Sequence, residues 1–224
     1  MHRKAGFTLM ELIIVVALIG LLLSLAIPAF LNSRRQANES AAINQLRMIA
    51  VIQHEFRTKA MVDQDNDTFG EFGLLGELTG LVTIRTMSSK QIFISQVVGP
   101  KSNTNYGEKD GYYFQLFLPG ALGTVTDNGH TNPLSVADNA NPQENKFRCY
   151  AWPKEAGKSG NRVFVVDQSG NVYAASNTRT GAFIYSGTTS KPGYNAASPS
   201  GDTVQFGSDI RIGTSNDGQS WTGL

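Results

Sequence analysis

The feature that most constrains the fold is an uncharged apolar run from Leu12 to Leu31, LIIVVALIGLLLSLAIPAFL. Its only hydroxyl side chain is that of Ser24. A run of about 20 apolar residues crosses a hydrocarbon core of about 30 Å as one helix. The basic residues His2, Arg3 and Lys4 precede it, which favours an amino terminus held in the cytoplasm. The run therefore predicts a membrane-inserted helix at the start of the chain.

A cleaved secretory signal and a plain membrane anchor are the two simplest interpretations of this run. A secretory signal usually has an apolar core of about 7–15 residues, which is shorter than this one. The small residues between Ser24 and Ala29 also make a poor cleavage site. A plain anchor fits the length but gives no reason for Glu11, the carboxylate just before the run. A charge in a membrane segment costs a few kcal/mol on insertion scales (~3 at the centre) and by default indicates a function.

The segment Gly6-Phe7-Thr8-Leu9-Met10-Glu11 resembles the cleavage motif of type IV pilins and of the pseudopilins of type II secretion. The resemblance rests on the short leader 1–6, Gly6, Phe7, Glu11, the apolar run and Pro28. It implies that a prepilin peptidase cuts after Gly6 and methylates the new amino terminus at Phe7. It also implies an inner-membrane assembly platform, residence in the bacterial inner membrane before assembly, and a helical homo-oligomeric filament in the periplasm or on the cell surface afterwards.

Glu11 has a specific expected role in such a filament. After cleavage Phe7 carries an ammonium group, and a neighbouring subunit displaced along the filament axis brings its own Glu11 to that group. Both ions are costly alone in a low-dielectric core and are tolerated as a pair, so the pair would set the subunit register. The alternative is that Glu11 lies at headgroup level and accepts hydrogen bonds at the start of the helix.

The helical pattern continues beyond the apolar run and becomes amphipathic from Asn32. A helix from Phe7 to about Val62 would be about 84 Å long, with residues 7–31 in the membrane and residues 32–62 against a head. We expect a kink at Pro28, which has no backbone N–H to donate. The apolar stripe consists of Ala42, Leu46, Ile49, Gln53, Phe56 and Ala60, whereas Arg34, Arg35, Glu39, Arg47 and Arg57 mostly fall off it.

Three aspartates alternate with polar residues in the segment DQDNDTFGE, residues 63–71. Oxygen ligands at positions 1, 3 and 5 also begin a calcium loop. Thr68 stands where an EF-hand has Gly, and Leu74 stands where it has the bidentate Glu, so this is not an EF-hand. A looser calcium site would use Asp63, Asp65, Asp67 and Glu71. The other interpretation is a solvated acidic turn, and calcium is the only cofactor that the sequence indicates.

Residues 63–224 predict a β-rich globular head. The predicted strands are Gln91–Val98, Tyr112–Leu118, Phe147–Trp152, Arg162–Asp167 and Asn171–Ala175. Gln168, Ser169 and Gly170 form the turn of a hairpin between the last two strands. Thr124–Asn145 is expected to be polar loop. An antiparallel sheet packed on the amphipathic half of the long helix gives an α+β fold.

The tail from Ser176 to Leu224 contains few apolar residues. It is expected to attach to the head through Val204, Phe206, Ile210, Ile212 and Trp221. The single cysteine, Cys149, excludes an internal disulfide and a cysteine-rich zinc site, and it is expected to be a small buried side chain.

Composition and motifs argue against a nucleic-acid partner and against catalysis. The net charge of +1 implies no strongly charged partner such as nucleic acid. His54-Glu55 lacks the second histidine of a zinc-protease helix, and Trp152 occupies the first glycine position of the phosphate-loop-like segment ending in Gly157-Lys158-Ser159. The predicted function is that of a structural filament subunit. The alternative is a membrane-tethered binding module whose head recognises a ligand or a protein and which does not polymerise.

Overall fold

The computed structural model describes residues 7–85, 87, 89–102, 104–120, 123–127, 140–200, 209–210 and 212–224. The predicted α+β fold is confirmed: one long amino-terminal helix packs with its second half against an antiparallel sheet. The helix, α1, runs from Leu9 to Thr58. Its first half, up to residue 34, makes no buried contact with the head.

The apolar stripe on α1 is confirmed from Ala42 to Phe56, whose side chains face the core. Two details differ from the prediction. Ala60 lies beyond the helix in a left-handed conformation with φ of 44°. Glu39 is buried with the stripe, because its carboxylate is held by hydrogen bonds from the head.

The helix ends four residues before the predicted limit because the following loop crosses its last turn. A Cβ at Gly70 would lie 2.3 Å from the Arg57 carbonyl oxygen, so only glycine allows this close approach. At the other end Pro28 lies inside α1, which is continuous through it. The kink expected there stays a prediction.

Within the described residues the main sheet has eight strands, and every neighbouring pair among them is antiparallel. Its order is β1-β2-β4-β5-β6-β10-β9, with β3 paired to β2, and β7 and β8 form a separate pair. The strands are β1 Gly107–Lys109, β2 Tyr112–Gly120, β3 Gly123–Val125, β4 Arg148–Pro153, β5 Val163–Asp167, β6 Val172–Ala175, β7 Thr178–Arg179, β8 Ala182–Phe183, β9 Gly213–Thr214 and β10 Ser220–Gly223. The short helices are α2 Leu75–Leu78, α3 Ala140–Asn145 and a 3-10 turn at Gln96–Val98.

Four of the five predicted strands are confirmed as β2, β4, β5 and β6, and the hairpin between β5 and β6 is confirmed with Gly170 at φ of 75°. The strand predicted at Gln91–Val98 is wrong. Phe93 and Ile94 both donate their N–H groups to the Leu78 carbonyl, and the Ser95 hydroxyl accepts from Val97 N–H. These bonds bend the segment into a loop with a 3-10 turn.

The prediction that Thr124–Asn145 is polar loop is wrong for the parts of this interval that the structure describes. The last two residues of strand β3 and the whole of helix α3 lie in it. Asp127 is buried, and its carboxylate accepts N–H groups from Leu75 at 3.1 Å and Gly76 at 2.8 Å. Burial raises the pKa of this carboxyl to about 7. Asp127 therefore holds the start of α2.

The tail contributes a layer to the head and is more than an attached segment. One apolar cluster lies between the sheet and α1, and a second lies on the opposite face, where tail residues such as Tyr185 and Trp221 cover it. Burial of Ile210 and Trp221 is confirmed, whereas Ile212 is exposed, contrary to the prediction. Val204 and Phe206 lie outside the described residues. Cys149 is buried as expected, and burial raises the pKa of its thiol.

Candidate functional site

The predicted assembly residues lie at the start of α1, where Thr8 is the N-cap. Thr8 Oγ1 accepts the Glu11 N–H at 3.2 Å, and Glu11 Oε2 accepts the Thr8 N–H and hydroxyl at 2.8 Å each. This is a capping box, which satisfies two otherwise unpaired N–H groups at the helix start. Within one chain Glu11 thus accepts hydrogen bonds at the start of the helix, as the alternative to intersubunit pairing expects. Phe7 is 82% exposed, and Gly6 lies outside the described residues.

The apolar half of α1 exposes almost all of its side chains. From Leu9 to Leu31 its large apolar side chains are between 45% and 75% exposed. By length and composition the helix is long and apolar enough to cross a membrane. Its most apolar stretch is not buried against the rest of the protein. A contiguous apolar surface of this size needs lipid or another protein surface against it. Pro28 lies within this exposed half.

The head first contacts α1 directly after the apolar run. Arg35 Nη1 donates to the Gly157 carbonyl at 3.1 Å, and Asn38 Nδ2 donates to the Ser159 carbonyl at 2.9 Å. One helical turn into the head, Glu39 accepts the Arg162 guanidinium at 2.7 Å. These polar contacts separate an apolar half of the helix from a half that belongs to the head.

The acidic loop follows α1 and brings its three aspartates together. Asp63, Asp65 and Asp67 each place a carboxylate oxygen within 4.8 Å of the others. Glu71, predicted as a fourth ligand, is fully buried and accepts the Gln64 N–H with Oε1 at 2.9 Å. Burial, and to a lesser extent the charge of Asp65, raise the pKa of Glu71.

The structure adds Glu144, in α3, to this loop. Its side chain is buried, and burial followed by the charges of Asp67, Asp65 and Glu71 raises its pKa. The sequence offered no signal for this residue, because it stands 73 positions after Glu71 in an interval without strand or helix periodicity. Three carboxylates thus lie within 4.8 Å of one another, with Glu71 and Glu144 buried nearby, and oxygen donors of this kind suit a hard divalent cation.

Comparison with known proteins gives matches at the amino-terminal end of the chain. Residues 1–27 match the family model described as the Prokaryotic N-terminal methylation motif. The chain is similar to the type IV major pilin protein PilA of Myxococcus xanthus, with 37% identity over 75 residues, which is 34% of this chain and 33% of that protein. It is also similar to the type IV narrow pilus major component PilA5 of Thermus thermophilus, with 40% identity over 57 residues, which is 23% of this chain and 49% of that protein.

The matched segments thus cover from a third to about half of the length of these two curated relatives. No solved structure matches the chain. The resemblance to type IV pilins noted from the residues is confirmed for the amino-terminal segment, which carries the methylation motif and the long apolar helix.

Proposed function

We propose, from this likeness to type IV pilins, that the chain is a structural subunit of a type IV pilus or of a type II secretion pseudopilus. The observation that carries the proposal is the methylation motif placed directly before a helix half that the head leaves uncovered. The proposal assigns no catalytic reaction to the head. The similar proteins are themselves named as major pilus components.

The two halves of α1 would have separate tasks in this function. The apolar half would lie in the inner membrane before assembly and in the filament core afterwards, since both surroundings are apolar. The half from Arg35 onward carries the head, which would form the outer surface of the filament. Glu11 of one subunit would meet the Phe7 ammonium of the next and set the register.

Processing is the first step of the proposed function, and we expect the mature chain to begin at Phe7. Gly6 precedes a start that matches the motif, and a small residue allows close approach of the peptidase to the scissile bond. Mass spectrometry of the membrane fraction should find an amino-terminal peptide that begins with methylated Phe7. An intact leader 1–6, or a start near Phe30, would contradict the expectation. A Gly6→Arg variant should retain the leader and serves as the control.

Polymerisation separates the proposal from a membrane-tethered binding module. Filaments sheared from the cell surface or collected from an overproducing secretion system should contain this chain as a main polypeptide. A chain found only in the membrane fraction of cells that make such filaments would favour the tethered module. Cleavage at Phe7 without filament incorporation would give the same conclusion.

A further inference from the structure

The acidic loop after α1 has the dimensions of a calcium site. Calcium takes six to eight oxygen ligands at about 2.3–2.6 Å, so two oxygens on one ion are never more than about 5 Å apart. Asp63, Asp65 and Asp67 each offer an oxygen within 4.8 Å of the other two. An acidic cluster alone does not make a site, because solvated aspartates are common on protein surfaces.

In three carboxylates of the loop, one oxygen accepts a backbone N–H group. The second oxygen of each carboxylate takes no part in that bond. The N–H of Thr68 donates to Asp63 Oδ2 at 3.2 Å, that of Phe69 to Asp67 Oδ1 at 2.8 Å, and that of Gln64 to Glu71 Oε1 at 2.9 Å. Such bonds fix the carboxylate orientations before an ion arrives, as outer hydrogen bonds do around metal ligands.

A second and independent observation comes from buried oxygens that have no hydrogen-bond partner among the residues that the structure describes. They include Glu71 Oε2, on a fully buried side chain, and Glu144 Oε1, on a side chain that is 7% exposed. Asp63 Oδ1 and Gln64 Oε1 share this property. Buried carboxylate oxygens without a partner are costly, and each calls for a bound group that satisfies it.

The orphaned oxygens belong to the same place as the aspartates. Glu71 is joined to the loop by the N–H of Gln64, and the N–H of Phe72, the residue after Glu71, donates to the carbonyl of Gln143, the residue before Glu144, at 3.0 Å. The loop and α3 thus bring these carboxyl groups to one place at the base of the head.

We propose that the loop binds one calcium ion, with Asp63, Asp65 and Asp67 as direct ligands on its open side and the unpartnered oxygens of Glu71 and Glu144 facing it through water on its buried side. The donors are all oxygens, which suits a hard cation, and their number and irregular placement suit calcium better than the smaller octahedral magnesium ion. The ion would join two parts of the chain: the loop after α1, up to the buried Glu71, and helix α3. It would stabilise the base of the head at the end of the long helix.

The test uses the full chain purified in detergent. Calorimetric titration with calcium chloride should give one site per chain. Thermal unfolding followed by circular dichroism should shift upward by about 5–10 °C at a hundredfold excess of calcium over Kd, relative to a chelator. Equal melting temperatures in calcium and chelator would overturn the proposal. An equal shift in magnesium would also overturn it, since that result indicates charge screening only.

Substitutions locate the site. The double variant Asp65→Asn with Asp67→Asn should lose the calcium shift but melt at or above the wild type in chelator, because the repulsion between carboxylates is relieved. Glu144→Gln should weaken calcium binding by roughly tenfold or more. An unchanged Kd would show that α3 takes no part in the site and would overturn the proposal that the ion joins the loop to α3. The matched control Asp110→Asn changes an exposed aspartate in the turn beside Asn38, about 30 Å away along α1, and should keep the full shift. A shift that persists in the double variant would also overturn the proposal.

Discussion

A Glu11→Ala variant is expected to accumulate in the membrane with its leader removed, while filament yield falls by about a hundredfold. The cut site is unchanged and the apolar run becomes no less hydrophobic, so insertion and cleavage should proceed. In the filament core the Phe7 ammonium would be left without a partner, and a buried charge without its partner costs about 3–5 kcal/mol at each subunit contact. The measurement compares sheared filament with membrane-fraction protein.

The capping box at Thr8 makes a sharper control available. Glutamine can replace glutamate in such a box but carries no charge, so Glu11→Gln keeps the helix cap and removes the ion. If pairing with the neighbouring amine sets the register, Glu11→Gln should assemble as poorly as Glu11→Ala. Normal filament numbers from Glu11→Gln would show that the carboxylate acts only as a helix cap.

Arg85→Ala is expected to destabilise the head by about 3–5 kcal/mol, since it removes the guanidinium from a buried ion pair with Glu77. The Arg85 side chain is 2% exposed and donates to Glu77 at 3.1 Å, to Gln143 at 2.5 Å and to the Phe72 carbonyl at 2.5 Å. It therefore links α2, α3 and the chain segment before α2. Thermal unfolding of the full chain in detergent should show a melting temperature lower by about 10 °C.

Arg162→Ala is the matched control for this prediction. Arg162 also pairs with a glutamate, Glu39, at 2.7 Å, but its side chain is 42% exposed. Solvent around the guanidinium screens the pair, so the loss should be about 1 kcal/mol or less. Equal losses of stability in the two variants would show that burial does not increase the contribution of the Arg85–Glu77 pair.

The long helix was predictable because its signals are local. A twenty-residue apolar run and a stripe at steps of three and four residues are both read within a few turns. The end of the helix was not, because it depends on Gly70, which lets the loop cross at the Arg57 carbonyl. The Gln91–Val98 strand failed for a similar reason: Leu78, a distant residue, supplies the carbonyl that bends it.

The strand sequences indicated the second layer of the head, but the polar composition of the tail pointed the other way. Strands β2, β4 and β5 are nearly continuous in apolar residues, and all of their residues are buried except the last residue of β2. A strand covered on one face alternates apolar and polar residues, so these runs indicate sheets covered on both faces. The polar composition of the tail suggested a loose segment, yet its few apolar side chains, among them Trp221, are enough to cover the outer face.

The candidate cation site was predictable only in part. Asp63, Asp65 and Asp67 are neighbours in sequence, so their alternation placed them together. Glu144 joins them through the tertiary fold, and no spacing in the chain relates α3 to the loop. The roles proposed for Gly6 and Phe7 in processing, and for Phe7, Glu11 and Pro28 in assembly, rest on the resemblance, because one chain contains no intersubunit contact.

The attachment of the head along α1 determines how a subunit would carry tension. Polar contacts join the helix to the head at Arg35, Asn38, Glu39, Gln45, Gln53 and His54. They are spread over about 29 Å of helix at 1.5 Å per residue. A pull on the apolar half along the helix axis would load these contacts in parallel. The rupture force would then be shared among them, and the head would resist being peeled off one bond at a time.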